Sequence, residues 1–80
     1  MQKHMISAAQ IRAARGLLDW SRKRLSAESG VPHSTIADFE TERTSSMLTE
    51  NMGKLVEAFA KHGVVFIGIR GVSFKEDQPK

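Results

Sequence analysis

The sequence predicts a mainly α-helical fold: a compact bundle of helices closed by a short C-terminal β strand or hairpin. Three observations carry that reading. Apolar residues recur at helical spacing through residues 7–63, with a sharp break at Gly30-Val31-Pro32. Residues that start and stop helices fall where that spacing begins and ends. From Val64 onward the period changes, and β-branched and aromatic residues are punctuated by Gly68 and Gly71.

The first helix is signalled by Ser7-Ala8-Ala9-Gln10. A serine hydroxyl can accept from the backbone N–H three residues on while the glutamine reaches back, which is a capping box. Ile11, Ala14 and Leu18 then share one face, with Leu17 beside them, so the helix runs from about Ala8 to Asp19. Ser21 can cap a second helix from Arg22 to Ser29, with Leu25 inward. Gly30 ends it, because glycine adopts the left-handed conformation that lets a chain leave a helix sharply. Pro32 suits the start of a third helix, which carries Ile36 and Phe39 inward. Thr41 to Ser46 is a polar loop. Thr49 is the expected cap of a fourth helix, from about Glu50 to His62, with Leu48, Met52, Leu55, Val56 and Phe59 as its apolar stripe. Val64–Ile67 is apolar on both faces and Val72-Ser73-Phe74-Lys75 alternates, so residues 64–75 read as one or two short strands. Residues 76–80 read as a loose tail.

Eighty residues are too few for two ordinary domains, so residues 1–80 read as one. A chain of this size buries only about 60% of its unfolded surface, which makes a partner useful. The absence of cysteine excludes disulfides, thiolate metal sites and cysteine nucleophiles. No apolar run reaches the ~18 residues of a membrane span, and no signal-peptide pattern opens the chain, so a cytoplasmic location away from membranes is expected. His4, His33 and His62 lack acidic or cysteine neighbours at ligand spacing, so no metal site is expected. No Gly-rich phosphate loop or nucleophile–base arrangement is present, so neither an enzyme nor a cofactor is expected.

The net charge is +3, unevenly placed. Residues 1–24 hold Lys3, Arg12, Arg15, Arg22, Lys23 and Arg24 against Asp19 alone, giving +5, and the rest of the chain sums to −2. A basic end favours an anionic partner such as nucleic acid. A short helix, a glycine-containing turn and a second helix also form a helix-turn-helix, which holds the second helix outward at a fixed angle. A helix so held fits the DNA major groove.

Gln10 to Arg15, Trp20-Ser21, Leu25, Ser29-Gly30-Val31, Ser34-Thr35-Ile36 and Phe39-Glu40 resemble, in this order and spacing, the lambda/Xre-type repressor helix-turn-helix family. The resemblance covers about Gln10 to Gly63. It implies a compact four- to five-helix bundle that binds operator DNA as a dimer and regulates transcription. It places His33, Ser34, Ala37 and Asp38 at base edges, and Arg22, Thr35, Thr41, Arg43 and Thr44 near phosphates. It makes Arg15 and Glu40 a structural ion pair between the first and third helices. The chain departs from the family at Pro32, where a hydroxyl cap is usual, and at Ser26, where alanine is usual and a hydroxyl now needs a partner.

The expected function is therefore a sequence-specific, double-stranded DNA-binding regulator, a dimeric repressor reading a near-palindromic operator. Its homodimer contact is expected at Val64–Ile67 and Val72–Phe74. The alternative is an antitoxin or accessory module whose main role is to hold a toxin or other protein. The apolar strand and the small size motivate it.

Overall fold

A computed structural model describes residues 6–75, so the expected tail at residues 76–80 lies outside the described residues. The elements follow in the order α1 (Ala8–Leu18), α2 (Arg22–Ser29), α3 (His33–Glu40), α4 (Thr49–Lys61), β1 (Val64–Ile67) and β2 (Gly71–Phe74). The protein is mainly helical, with a two-stranded antiparallel hairpin at its C-terminal end.

Each helix end has a local cause. The capping box at α1 is complete: the Gln10 backbone N–H donates to Ser7 Oγ at 3.1 Å, and the Ser7 N–H donates to Gln10 Oε1 at 2.9 Å. Helix α1 stops because Asp19 turns left-handed (φ 61°), while Trp20 N–H and Asp19 N–H return to the carbonyls of Arg15 and Gly16. Ser21 Oγ accepts from the Arg24 N–H at 2.9 Å and starts α2. Gly30 at φ 82° ends it. The turn into α3 is stitched by two hydroxyls: Ser26 Oγ donates to the Val31 carbonyl at 2.6 Å, and Ser29 Oγ accepts from the Val31 N–H at 3.1 Å. The hydroxyl that Ser26 adds thus finds its partner in the turn itself.

Three sequence expectations are corrected. Thr49 does not cap α4; it is the first helical residue, and Leu48 is the N-cap. The Leu48 carbonyl already accepts the first helical bond, from the Met52 N–H at 3.0 Å. Leu48 therefore stands outside the helical stripe and is 69% exposed. Leu17, set beside the inward face of α1, is also exposed, because the buried face runs through Gln10, Ile11 and Ala14 and the helix closes one residue after it.

The core gathers Ile11, Leu25, Val31, Ile36, Leu55 and Phe59 from all four helices and the turn, with Val64 from β1. Three aromatic rings tie the parts together. Trp20 stacks on Phe59 at 5.9 Å, and Phe59 meets Phe66 of β1 edge-on at 5.7 Å. Trp20 is also covered by Arg24 (5.0 Å to the ring centre) and abutted by His62 at 4.8 Å. In the hairpin, Val64 pairs with Phe74 and Phe66 with Val72, and Gly68 turns at φ 59°. Val64 is buried and Phe66 half-buried, whereas Val65 and Ile67 point away from the core. Val64–Ile67 is thus apolar on both faces but has one face in the core.

Candidate nucleic-acid interface

The helix-turn-helix consists of α2, the Gly30 turn and α3. Helix α3 turns Ile36, Phe39 and Glu40 inward, where all three are buried. Its other arc carries His33, Ser34, Ala37 and Asp38 at i, i+1, i+4 and i+5. His33, Ser34 and Asp38 are exposed, while Ala37 and Thr35 are half-buried. The expected base-reading residues therefore form one outward strip.

That strip is aimed by the anchor behind it. Glu40 is 1% exposed and receives two guanidinium groups. Arg15 of α1 binds it with both Nε and Nη2, each at 2.8 Å, in the paired geometry that suits guanidinium and carboxylate. Arg22, the first residue of α2, donates through Nε at 3.0 Å. Burial pushes the Glu40 carboxyl towards the neutral form, but the Arg15 and Arg22 hydrogen bonds outweigh it and hold the group below its ordinary value. Hydrogen bonding to Glu40 in turn raises the pKa of Arg15. Arg15 also donates to the Trp20 carbonyl at 2.9 Å, fixing the link between α1 and α2.

The expected phosphate-contacting residues do not all stand free. Arg22 spends its Nε on Glu40. Arg43 lies 3.9 Å from Asp38, so a candidate phosphate contact leans on a candidate base reader. The Thr41 hydroxyl donates to the Ala37 carbonyl at 2.8 Å, and the Thr44 hydroxyl to the Ser46 carbonyl at 3.3 Å. A hydroxyl has one proton, so either threonine must rotate before it can donate to a phosphate. The basic run Arg22-Lys23-Arg24 splits in three: Arg22 faces Glu40, Lys23 is exposed, and Arg24 covers Trp20 and pairs with Glu28 at 2.8 Å.

Sequence reasoning missed two features of this region. Gln10 is fully buried and donates through Nε2 to the carbonyls of Gly68 and Gly71, each at 3.0 Å, locking α1 to the hairpin turn. Arg12 donates to the backbone carbonyl of Glu40. A signal for Arg12 exists, since it lies three residues before Arg15 on the same side of α1.

Among the described residues, no helix is long and apolar enough to cross a membrane. A search of characterised proteins finds no match. Residues 11–65, more than half of the chain, match the Helix-turn-helix family. With α3 projected from a glycine turn and braced by α1, the chain belongs to that family, as a DNA-binding regulator of the Xre/lambda-repressor type.

Proposed function

We propose that the protein is a cytoplasmic, homodimeric repressor that reads a near-palindromic operator by laying α3 in the major groove. The observation that carries this is the outward strip of α3 backed by the pairing of Arg15 with the buried Glu40 carboxylate. His33 donates or accepts at a base edge, Ser34 bonds a base or phosphate, Asp38 accepts from cytosine N4, and Ala37 offers a methyl surface to thymine. Arg22, Thr35, Thr41, Arg43 and Thr44 contact phosphates and set register without reading sequence.

The homodimer is assigned to the hairpin. Val65 and Ile67 are exposed on its outward face, Ile69 in its turn and Phe74 at its end beside Val64, and neither of its two strands pairs with a third. The outward face that carries Val65 and Ile67 supports a second reading, in which an unlike protein such as a toxin covers it. Val64 and Phe66 belong to the core, so the test changes an outward residue: Ile67→Lys should give a folded monomer in sedimentation. A heterologous protein that co-purifies with the native chain and is lost with Ile67→Lys favours the second reading.

The DNA reading is tested by selecting binding sites from random duplexes. Two half-sites about 34 Å apart, one helical turn, are expected. His33→Ala or Asp38→Ala should change the preferred bases, at roughly 1–3 kcal/mol for each well-formed pairing with a base edge. Arg43→Ala should instead weaken every sequence alike. An unchanged selected motif in both α3 variants would remove those residues from the reading surface.

A further inference from the structure

The chain leaves α3 through a turn built around a left-handed residue that is not glycine. Glu42 sits at φ 63°, a left-handed conformation that a side chain with a Cβ adopts at a cost. The turn nevertheless doubles back on α3. The Glu42 N–H returns to the Phe39 carbonyl at 3.1 Å, and the Arg43 and Thr44 N–H groups return to the Asp38 carbonyl at 2.9 and 3.4 Å. These bonds place Arg43 and Thr44 against the C-terminal end of α3, where the Arg43 side chain comes within 3.9 Å of Asp38 on the outward strip.

One side chain outside the turn reaches it at two points, Glu40 and Glu42. Arg12, on α1, donates through Nη1 to the carbonyl of Glu40, the last residue of α3. The same nitrogen lies 4.0 Å from the Glu42 carboxylate. A cation at the C-terminal end of a helix meets free carbonyls and the negative end of the helix dipole. The Glu42 carboxylate, on the left-handed residue itself, adds a second attraction. We infer that Arg12 is a positioning residue for DNA binding: it clamps the end of α3 and the Glu42 turn, and so presents the loop that carries Arg43 and Thr44. It acts through that loop and touches no DNA itself. This role deepens the DNA reading above and rests on it for the binding half of its test.

The rival role is direct. Arg12 is 44% exposed along its side chain and could meet a phosphate. Two measurements on the full chain separate the roles. The first is amide hydrogen exchange in the free protein, comparing the native chain with Arg12→Ala. Exchange at Glu42, Arg43 and Thr44 should quicken about tenfold, with α4 amides unchanged as the control for folding. Unchanged exchange in the turn overturns the inference. The second is a double-mutant cycle with Arg43→Ala on a mixed-sequence duplex across a salt series. Arg12→Ala should weaken binding by roughly fivefold in the native background, and by clearly less once Arg43 is gone. An equal loss in both backgrounds, with the salt slope falling by about 1 each time, makes Arg12 a phosphate contact and overturns the positioning role. A native chain that ignores the duplex even at low salt overturns the DNA reading instead, while the exchange result still decides whether Arg12 holds the turn.

Discussion

Two polar side chains are buried in the core of the described residues, and they anchor opposite parts of the molecule by different chemistry. Glu40 is charged and holds α3 to α1 and α2 through Arg15 and Arg22. Gln10 is neutral and holds the hairpin turn to the start of α1 through an amide. Both are satisfied, since no described buried side-chain nitrogen or oxygen lacks a partner. The difference lies in what each tolerates. A neutral amide costs little to bury once its bonds are made, and it is blind to pH and salt. A buried carboxylate depends on its partners' charges, and they on its own. The surface expected to meet a polyanion thus rests on an ionic anchor, and the surface expected to meet a protein on a neutral one.

Glu40→Ala should break the comparison most severely. It strands two guanidinium groups around a pocket built for an anion, and loss of one partner of a buried pair costs about 3–5 kcal/mol. Arg15 and Arg22 keep 19% and 33% of their side-chain surface, so the lower end, about 3 kcal/mol, is expected by urea denaturation. The pH dependence follows from the carboxyl being held low in the fold. Its stabilising contribution is fully present above the unfolded carboxyl pKa, near 4.3, and drains away as pH falls through the lower folded value. The penalty of Glu40→Gln should therefore shrink on going from about pH 7 to about pH 3. A penalty that stays flat over that range would mean that the carboxylate's charge contributes nothing.

Gln10→Ala is the neutral counterpart. It leaves the Ser7 N–H and the carbonyls of Gly68 and Gly71 without their partner, at a cost of roughly 2 kcal/mol. Its cost should be the same at neutral and acid pH, because nothing in that anchor titrates. A cost that moved with pH as Glu40→Gln does would erase the distinction between the two anchors.

The two anchors were not equally legible in the sequence. The local half of Gln10 was: serine and glutamine three residues apart announce a capping box, and the box is there. Its other half is not local, because the carbonyls it binds lie 58 and 61 residues along the chain. Glu40 could be paired with Arg15 only through the family resemblance, since no periodic pattern joins residues 25 apart. Helix ends fixed by the chain's own chemistry, such as Gly30, read well. Thr49 did not, because a backbone carbonyl can start a helix even where a hydroxyl stands one residue later. The glycines of the hairpin marked its turn, but which strand face enters the core depends on where α1 and α4 stand. For the same reason the outward strip of α3 reads well as a surface, whereas the turn after it needs Arg12, whose placement depends on packing.

The smallest expected effect lies within the charged anchor. Arg15 binds Glu40 through two bonds, is the less exposed, and also holds the Trp20 carbonyl. Arg22 makes one bond, at 3.0 Å, and is a third exposed. Losing Arg22 leaves the carboxylate still neutralised, so Arg22→Ala should cost no more than about 1 kcal/mol of stability. Its two terminal nitrogens are not spent on Glu40, and they sit at the first turn of α2, where an anion is also favoured by the helix dipole. Binding to DNA of any sequence should therefore weaken, and the slope of log affinity against log salt should fall by about 1. A near-native melt with a shallower salt slope would assign Arg22 to the DNA as well as to Glu40. A large loss of stability with the slope intact would assign it to the anchor alone, and the two arginines would then be equivalent partners of the buried carboxylate.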